Sequence, residues 1–337
     1  MRQLSSLVAG VSVTAAVALA NPAEALTFSN NFTDSSWSGS ATILGQMEVA
    51  VPSAEKILDG LFSNNVNVSL YFFYDSTTGG AYTQFNNNNF PAPYGPGGLS
   101  LTTIESDLTS HSLAHPENTA LASLVGHLPS SAPPCPNCYT NPPQFMLPDA
   151  ESLALTGQPG PGGPYQFQAY IAVGDLAWDD SQSGGIAPNE GDLTGVMEHE
   201  ITHAMGRVDY AFQGYPTFLT PLNLARYGCG TTTLTASAAN ACLSLDGGVT
   251  DLNKFSPTSD TGDWLTPNYT PIGDAFNAFF YYGQLLTMSP GDIREMNALG
   301  WDPLTVAIPE PATWALLGLG FVGLGLIRRT GMRTASV

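Results

Sequence analysis

Residues 191–209 read GDLTGVMEHEITHAMGRVD and carry a strong helical pattern. Their apolar side chains recur at spacings of three, four and one, which places them on one face of an α-helix; they are Leu193, Val196, Met197, Ile201, Ala204 and Met205. Such a helix packs its apolar stripe into the core. Gly206 follows, and glycine can adopt the left-handed conformation that ends a helix sharply. The stretch predicts a buried helix followed by a tight turn.

The same helix carries a potential metal site. His199 and His203 are four residues apart, so both imidazoles leave one face of the helix and can share a cation. The Glu200 carboxylate can reach a water on that cation. Asp209 follows the turn at Gly206 and is the predicted third ligand, with Asp246 or another acid of the C-terminal half as the fallback.

Chance does not readily explain this pattern. With five histidines in 337 residues, an incidental His-Glu-x-x-His is expected on the order of 0.002 times in the chain. If these residues had no function, the helix would bury polar side chains without partners, at a cost of several kcal/mol.

The pattern His-Glu-x-x-His-x-x-Gly-x-x-Asp, from His199 to Asp209, resembles the metzincin clan of zinc peptidases. The string from Glu198 to Arg207 resembles, in particular, a group of secreted bacterial metalloproteases. A looser resemblance runs from about residue 62 to 303 and includes Gly262-Asp263-Trp264 and Leu299-Gly300-Trp301-Asp302. It implies an α+β fold with a mixed twisted sheet, an active-site helix and a loop-rich C-terminal subdomain. Met288 is the nearest candidate for the methionine turn of that clan, but no tyrosine follows it as is common there.

The resemblance also implies a function and a ligand set. His199, His203 and Asp209 would bind Zn²⁺, and Glu200 would be the general base of a secreted metalloendopeptidase acting on proteins or peptides. The substrate would lie extended beside an edge strand, for which residues 165–173 are the candidate. Asp179 and Asp180 are a possible binding site for Ca²⁺ as a second cation.

Two alternative functions stay open. One is a non-catalytic, metal-containing protein that binds partners at the cell surface or in the matrix. The other is a zinc hydrolase acting on esters or glycans. The complete Glu200 favours an enzyme, because a binding protein needs no base beside its ligands.

The two ends of the chain predict export. Residues 1–25 have one arginine, an apolar run and small-x-small sites, as in a secretory signal peptide cleaved after Ala25. Residues 309–337 begin with Pro309-Glu310-Pro311, continue with an apolar stretch at 312–327 and then Arg328-Arg329. This tail resembles the PEP-CTERM sorting signal of Gram-negative bacteria, which implies transient membrane anchoring through 312–327 and processing by an exosortase-type peptidase. A permanent short anchor is the alternative.

The predicted organisation is therefore a signal peptide at 1–25, a metalloprotease domain at 26–308 and a sorting tail at 309–337. The domain divides at the turn after the helix into an upper part, 26–206, and a lower part, 207–308. Residues 26–52 are a candidate pro-segment, although they hold no cysteine to cap zinc.

Composition agrees with an extracellular location. Charged residues make up only 11% of the chain, and its net charge is −19. So acidic a protein repels phosphate backbones and anionic lipid, which excludes nucleic acid as a partner and favours cations.

The four cysteines predict disulfides, since an exported chain meets an oxidising compartment. Four cysteines allow three pairings. We favour the local one, Cys135 with Cys138 and Cys229 with Cys242, over half a zinc ribbon or a redox motif at Cys135 and Cys138.

Periodicity elsewhere predicts further elements. Helices are expected at 53–62, 275–280 and 290–299, with one or two at 101–128 broken by Pro116; strands are expected at 66–74 and 165–174, and a loop at 77–98. His111 and His115 have a spacing compatible with metal binding. No further ligand lies nearby in the sequence, so the pair predicts a polar helix face.

Overall fold

The computed structural model describes residues 26–85, 98–135, 138, 140–160, 166–209, 218–237, 239–267 and 272–304. Its helices are α1 (Ala41–Asp59), α2 (Leu101–Ala114), α3 (Thr119–Val125), α4 (Asp149–Thr156), α5 (Leu193–Ala204) and α6 (Pro290–Ala298). Two 3₁₀ turns lie at Ser35–Gly39 and Pro221–Ala225. The predicted signal peptide and sorting tail lie outside the described residues.

The strands are mostly short and are spread along the described chain. They are β1 (Thr27–Asn31), β2 (Asn67–Tyr74), β3 (Ala81–Gln84), β4 (Ala169–Val173), β5 (Trp178–Asp179), β6 (Gly191–Asp192), β7 (Arg226–Gly228), β8 (Ala241–Leu243), β9 (Ile272–Asp274) and β10 (Leu285–Thr287). The chain is thus mixed α+β, as predicted.

The main sheet has the strand order β1-β2-β4-β3. β1, β2 and β4 run parallel, with Phe28 opposite Val68 and Leu70 opposite Ala169, while β3 runs antiparallel to β4. The prediction that residues 165–173 form an edge strand is wrong, because β4 lies between β2 and β3. β3 instead forms an edge, inside a stretch that we expected to be a loop.

Helices α1 and α5 pack together against this sheet. Each buries one apolar face, and the shared core includes Met47, Leu58, Leu70, Met197 and Ile201. Because α5 also contacts β3, the sheet edge and the predicted metal-binding helix are neighbours.

Residues 26–52 form part of this folded unit. β1 pairs along its whole length with β2, and the first half of α1 buries Ile43 and Met47. The candidate pro-segment is therefore packed into the main sheet and continues into α1. The predicted helix at 53–62 is the second half of α1, which passes through Pro52.

Other elements agree more closely with prediction. β2, β4, α5 and α6 lie within the expected ranges, and Ser289 caps α6 with Pro290 in its first turn. α2 and α3 are separated around Pro116. The helix expected at 275–280 is absent, because Ala275 and Ala278 donate their backbone N–H groups to Thr287 and Trp264 and extend the chain.

Both predicted disulfides are present, Cys135–Cys138 and Cys229–Cys242. The second bridges the ends of a loop beside the β7–β8 pair. Within the described residues, no helix combines the length and apolarity needed to cross a bilayer.

Candidate active site

Helix α5 fixes the two histidines on a buried, well-capped scaffold. The Asp192 side chain caps the helix by accepting a hydrogen bond from the Gly195 N–H at 3.0 Å. His199 and His203 leave the same face one turn apart, and their Nε2 atoms lie 3.0 Å from each other. The structure therefore places both rings where a shared cation would need them.

The outer nitrogen of each ring is held by a backbone carbonyl. His199 Nδ1 lies 2.7 Å from the Ala275 oxygen, and His203 Nδ1 lies 2.5 Å from the Arg207 oxygen. A carbonyl only accepts, so both Nδ1 atoms carry the proton. In the neutral rings each Nε2 then presents a lone pair, which is the arrangement seen in metal-ligating histidines.

A carboxylate from the C-terminal half completes the cluster. Asp263 Oδ1 lies 3.3 Å from His199 Nε2 and 3.2 Å from His203 Nε2. Tetrahedral ligands with bonds of 2.0–2.1 Å to one zinc stand about 3.3 Å apart. The three atoms thus have the spacing of three corners of a zinc tetrahedron.

Asp209, the predicted third ligand, is occupied elsewhere. Its Oδ2 pairs with Arg226 NH1 at 2.5 Å and accepts a hydrogen bond from Thr261 Oγ1 at 2.8 Å. It belongs to none of the ligand clusters formed by the described residues. The fallback, Asp246, accepts hydrogen bonds within its own loop from Ser244 and Thr250.

Sequence reasoning did not select Asp263. Asp263 lies far along the sequence from α5 and reaches it only through the fold. No fixed spacing therefore connects this residue to the helix. The only signal was its position in Gly262-Asp263-Trp264, one of the strings that carried the wider resemblance.

Arg207 brings a positive charge to the same cluster. Its guanidinium is fully buried, donates from NH1 to Asp263 Oδ1 at 2.6 Å and lies with NH2 3.0 Å from His203 Nε2. It also covers the Phe276 ring at 4.0 Å. The guanidinium satisfies His203, but His199 Nε2 still faces Asp263 and His203 without a donor among the described residues.

The pKa values of His199 and Asp263 are both lowered, but for different reasons. Burial lowers the pKa of His199 to about 3, which keeps its ring neutral and its lone pair free. Burial alone would raise the pKa of Asp263, but the nearby His199 and Arg207 hold it below its ordinary value. Burial and Arg207 lower the pKa of His203, but its contacts with Asp263 outweigh them and raise it above the ordinary value. The cluster therefore offers two imidazoles, of which His199 is neutral, and one carboxylate, and two imidazoles with a carboxylate are a ligand set suited to zinc.

Glu200 is positioned by the sheet edge. Thr83 Oγ1 on β3 lies 2.7 Å from Glu200 Oε2 and 2.8 Å from the Glu200 carbonyl oxygen. Burial raises the pKa of Glu200 to about 7. Since Thr83 lies against Oε2, Oε1 is the oxygen left to exchange a proton with a bound molecule.

The cluster lies in a cleft of 560 Å³. One wall is β3 and the turn before it, and the other is the segment 275–282, which exposes Phe279, Tyr281 and Tyr282. In the described part of the chain no strand pairs with the outer side of β3. A groove bounded by a free strand edge and aromatic rings suits an extended peptide.

The comparisons with known proteins identify the tail. Residues 307–329 match the PEP-CTERM protein-sorting motif. No curated protein and no solved structure matches the chain.

The sorting motif defines where the protein goes. It marks an exported protein that is recognised by an exosortase at its C-terminus and sorted to the cell envelope or extracellular surface of a Gram-negative bacterium. The two disulfides agree with that oxidising location.

The other residues that the sequence suggested for a site are held by hydrogen bonds or by packing, outside the histidine cluster. Trp178, which precedes the predicted pair Asp179 and Asp180, is buried in the core and donates its indole N–H to the Gly174 oxygen. Asp179 accepts backbone N–H groups of Ser181 and Ala187, and neither Asp179 nor Asp180 joins a described ligand cluster. Met288 is partly buried against the main core.

Proposed function

We propose that the protein is a zinc-dependent metalloendopeptidase with His199, His203 and Asp263 as ligands and Glu200 as general base. One observation carries the proposal. Three acceptor atoms converge at 3.0–3.3 Å while both outer ring nitrogens donate to backbone carbonyls. Acceptors repel one another at such distances unless a cation lies between them, so the arrangement is suited to a metal ion.

The surroundings support a metzincin-like arrangement. The active-site helix packs beneath a mainly parallel sheet whose antiparallel edge strand β3 borders the cleft. Gly206 takes φ +119° after the helix and redirects the chain, which brings the Arg207 carbonyl back to His203. The proposed departure from that pattern is the third ligand, which comes from Asp263 in place of the residue three positions after the glycine.

The chain's own groups divide the catalytic work. A zinc ion bound there would act as a Lewis acid and lower the pKa of a coordinated water toward 7. Glu200 Oε1 accepts the proton of the attacking water and later delivers it to the leaving amine. Thr83 keeps the carboxylate turned toward the cleft, and the carbonyls of Ala275 and Arg207 keep both imidazoles in the ligating tautomer.

The cleft supports a peptide as the substrate. An extended chain can add antiparallel to β3 through main-chain hydrogen bonds, while Phe279, Tyr281 and Tyr282 on the opposite wall contact apolar side chains. Export to the cell surface would bring such an enzyme into contact with extracellular proteins.

Arg207 favours a second candidate, a non-catalytic surface protein that binds partners in this cleft. Its guanidinium already supplies a cation to Asp263 and His203. In that case the cluster is a metal-free polar core and Glu200 has no water to deprotonate.

A substitution at Glu200 separates the two candidates. Glu200→Gln keeps the shape of the side chain but removes the base, so zinc content should stay near one per active site while cleavage of a quenched peptide library falls by roughly 10²–10⁴. Glu48→Gln, on the exposed face of α1, is the matched control and should match the parent.

Chelation provides the second half of the test. Treatment with a strong chelator should abolish cleavage, and added zinc should restore it. A metal-free parent that cleaves peptides at the original rate would contradict the metallopeptidase, and a parent that neither binds zinc nor cleaves would favour the binding protein.

A further inference from the structure

A second histidine cluster lies at the C-terminal end of α2, away from the cleft. His111 Nε2 lies 3.0 Å from Asp302 Oδ2, and His115 Nδ1 lies 2.9 Å from the same oxygen. Asp302 comes from the segment that follows α6. The fold therefore brings to the two histidines a carboxylate that the sequence around them did not offer.

The hydrogen bonds of His111 require a positive charge at this point. Its Nδ1 lies 3.2 Å from the Leu155 carbonyl oxygen, so that nitrogen carries the proton. The opposite nitrogen, Nε2, then faces both oxygens of Asp302 with a lone pair, at 3.1 Å from Oδ1 and 3.0 Å from Oδ2. Two acceptors do not approach within 3.0 Å without a second ring proton or a metal cation between them.

Two features favour a metal over a second proton. The rings of His111 and His115 stack with centroids 4.3 Å apart and planes 18° from parallel, so one ion can reach both rings. Both rings also aim a nitrogen at one carboxylate oxygen, as ligands of a shared ion do. Glu117 Oε1 lies 3.3 Å from His115 Nδ1 and provides another oxygen at the open side of the cluster.

The carboxylate is held in place by buried amides. Asn118 Nδ2 donates to Asp302 Oδ1 at 3.1 Å, and Asn64 Nδ2 lies 3.4 Å from Oδ2. The Asp302 N–H in turn donates to Asn64 Oδ1 at 2.7 Å. Such outer partners orient ligating carboxylates in metal sites. His111, Asn64, Asn118 and Asp302 are all more than nine-tenths buried.

We propose that His111 Nε2, His115 Nδ1 and Asp302 Oδ2 form a second, structural site for a divalent transition metal of the zinc type, with Glu117 as a further ligand. Two imidazoles and carboxylate oxygens are ligands that zinc accepts. The ion joins the end of α2 to the segment after α6. Trp301 in that segment donates its indole N–H to the Met205 oxygen at the end of α5, so the second site fixes the chain behind the active-site helix.

The test is the zinc stoichiometry of the purified full-length chain, measured by mass spectrometry of the metal after dialysis. We expect two zinc ions per chain in the parent, one in His115→Ala and one in His199→Ala, with none in the double variant. His115 is 39% exposed at its side chain, so its truncation should leave the fold intact, which circular dichroism checks. His127→Ala, an exposed histidine outside both clusters, is the control and should retain two.

The outcomes distinguish this site from the proposed active site. One zinc in the parent that survives His115→Ala and is lost in His199→Ala would overturn the second site and leave the peptidase standing. One zinc that survives His199→Ala and is lost in His115→Ala would support the second site and contradict the peptidase. Asp302→Asn provides an independent check, because it should also lose one zinc, and retention of both would overturn the ligand assignment.

Discussion

Two buried aspartates near the candidate active site each pair with an arginine, but only one of them contacts the histidines. Asp263 faces both imidazoles and Arg207, whereas Asp209 faces Arg226 and Thr261. The local geometry gives them different expected roles, although the sequence pattern pointed to Asp209.

Substituting each aspartate by asparagine should separate these roles. Asp263→Asn removes the charge of the proposed third ligand and should weaken zinc binding by at least about 100-fold, since even outer partners of ligands are worth 10–100-fold. Asp209→Asn should retain zinc but lower the free energy of unfolding by about 3–5 kcal/mol, because it leaves Arg226 buried without its charge partner. Zinc titration and urea unfolding measure the two effects.

Asp59→Asn, at the exposed end of α1, is the control for both measurements and should leave them unchanged. Loss of zinc in Asp209→Asn, with its fold intact and with zinc retained in Asp263→Asn, would restore the ligand set predicted from sequence.

The sequence could predict the histidines and Glu200 because their relation is local. Residues four apart on a helix must share a face, so the spacing alone brings His199 beside His203. Asp263 and Asp302 reach their histidines only through tertiary folding, and no periodic pattern connects them. A nearby acid such as Asp209 fits the spacing equally well until Arg226 is seen beside it.

At the scale of elements, the turn after α5 depends on Gly206. Its φ of +119° is a conformation that L side chains rarely adopt, and an added Cβ would meet the Glu151 carboxyl carbon at 2.8 Å. This turn positions the carbonyl that holds His203 and the side chain of Arg207.

Gly206→Ala should therefore lower the free energy of unfolding by about 1–3 kcal/mol and weaken zinc binding, since the strain falls on the His203 support. Gly45→Ala is the matched control, because an added Cβ there meets nothing within 4 Å in helix α1 and should stabilise the protein by about 0.5–1 kcal/mol. Denaturant unfolding with zinc titration measures both. A Gly206→Ala variant as stable as the parent would show that the turn tolerates a side chain.

The elements that sequence patterns missed share identifiable causes. Pro52 concealed the first half of α1, because proline usually ends a helix but here lies within one. Helix α4 buries the polar residues Asp149, Glu151 and Ser152. Its buried face therefore does not show the spacing of apolar residues by which a helix is recognised in a sequence. The segment 275–278 has helical composition, yet its N–H groups pair with Thr287 and Trp264. In each case a tertiary contact outweighs the local preference.

At the scale of the whole molecule, buried acids link stability to pH. Glu151 is fully buried, and burial raises its pKa well above the ordinary value. Its carboxyl oxygens have no hydrogen-bond partner among the described residues. The folded protein therefore keeps this group protonated at a pH where the unfolded chain releases the proton.

The sign of the effect follows from that difference. Below the unfolded pKa of about 4.5 both states hold the proton. As pH rises toward the folded pKa, the unfolded state alone ionises, and the free energy of unfolding falls by up to about 1.4 kcal/mol per pH unit. Glu151→Gln, which cannot ionise, should show a flatter decline between pH 5 and pH 8 in urea unfolding at equal zinc loading.

Glu48→Gln serves as the comparison here too, because its exposed carboxyl should leave the slope of the parent unchanged. Equal slopes for the parent and Glu151→Gln would mean that Glu151 ionises in the folded protein.

Among the described residues no strand pairs with the outer side of β3, and this edge limits what the cleft can accept. Four residues in extended conformation span about 13 Å, so a partner must present a short, straight stretch of backbone with its own N–H and C=O groups unpaired. Compact globular proteins satisfy those groups internally and expose such stretches only in frayed termini, loops or damaged regions. An enzyme that recognises its targets at this edge would distinguish them by state of folding before it distinguished them by side chain, and would act mainly on unfolded or ageing proteins at the cell surface.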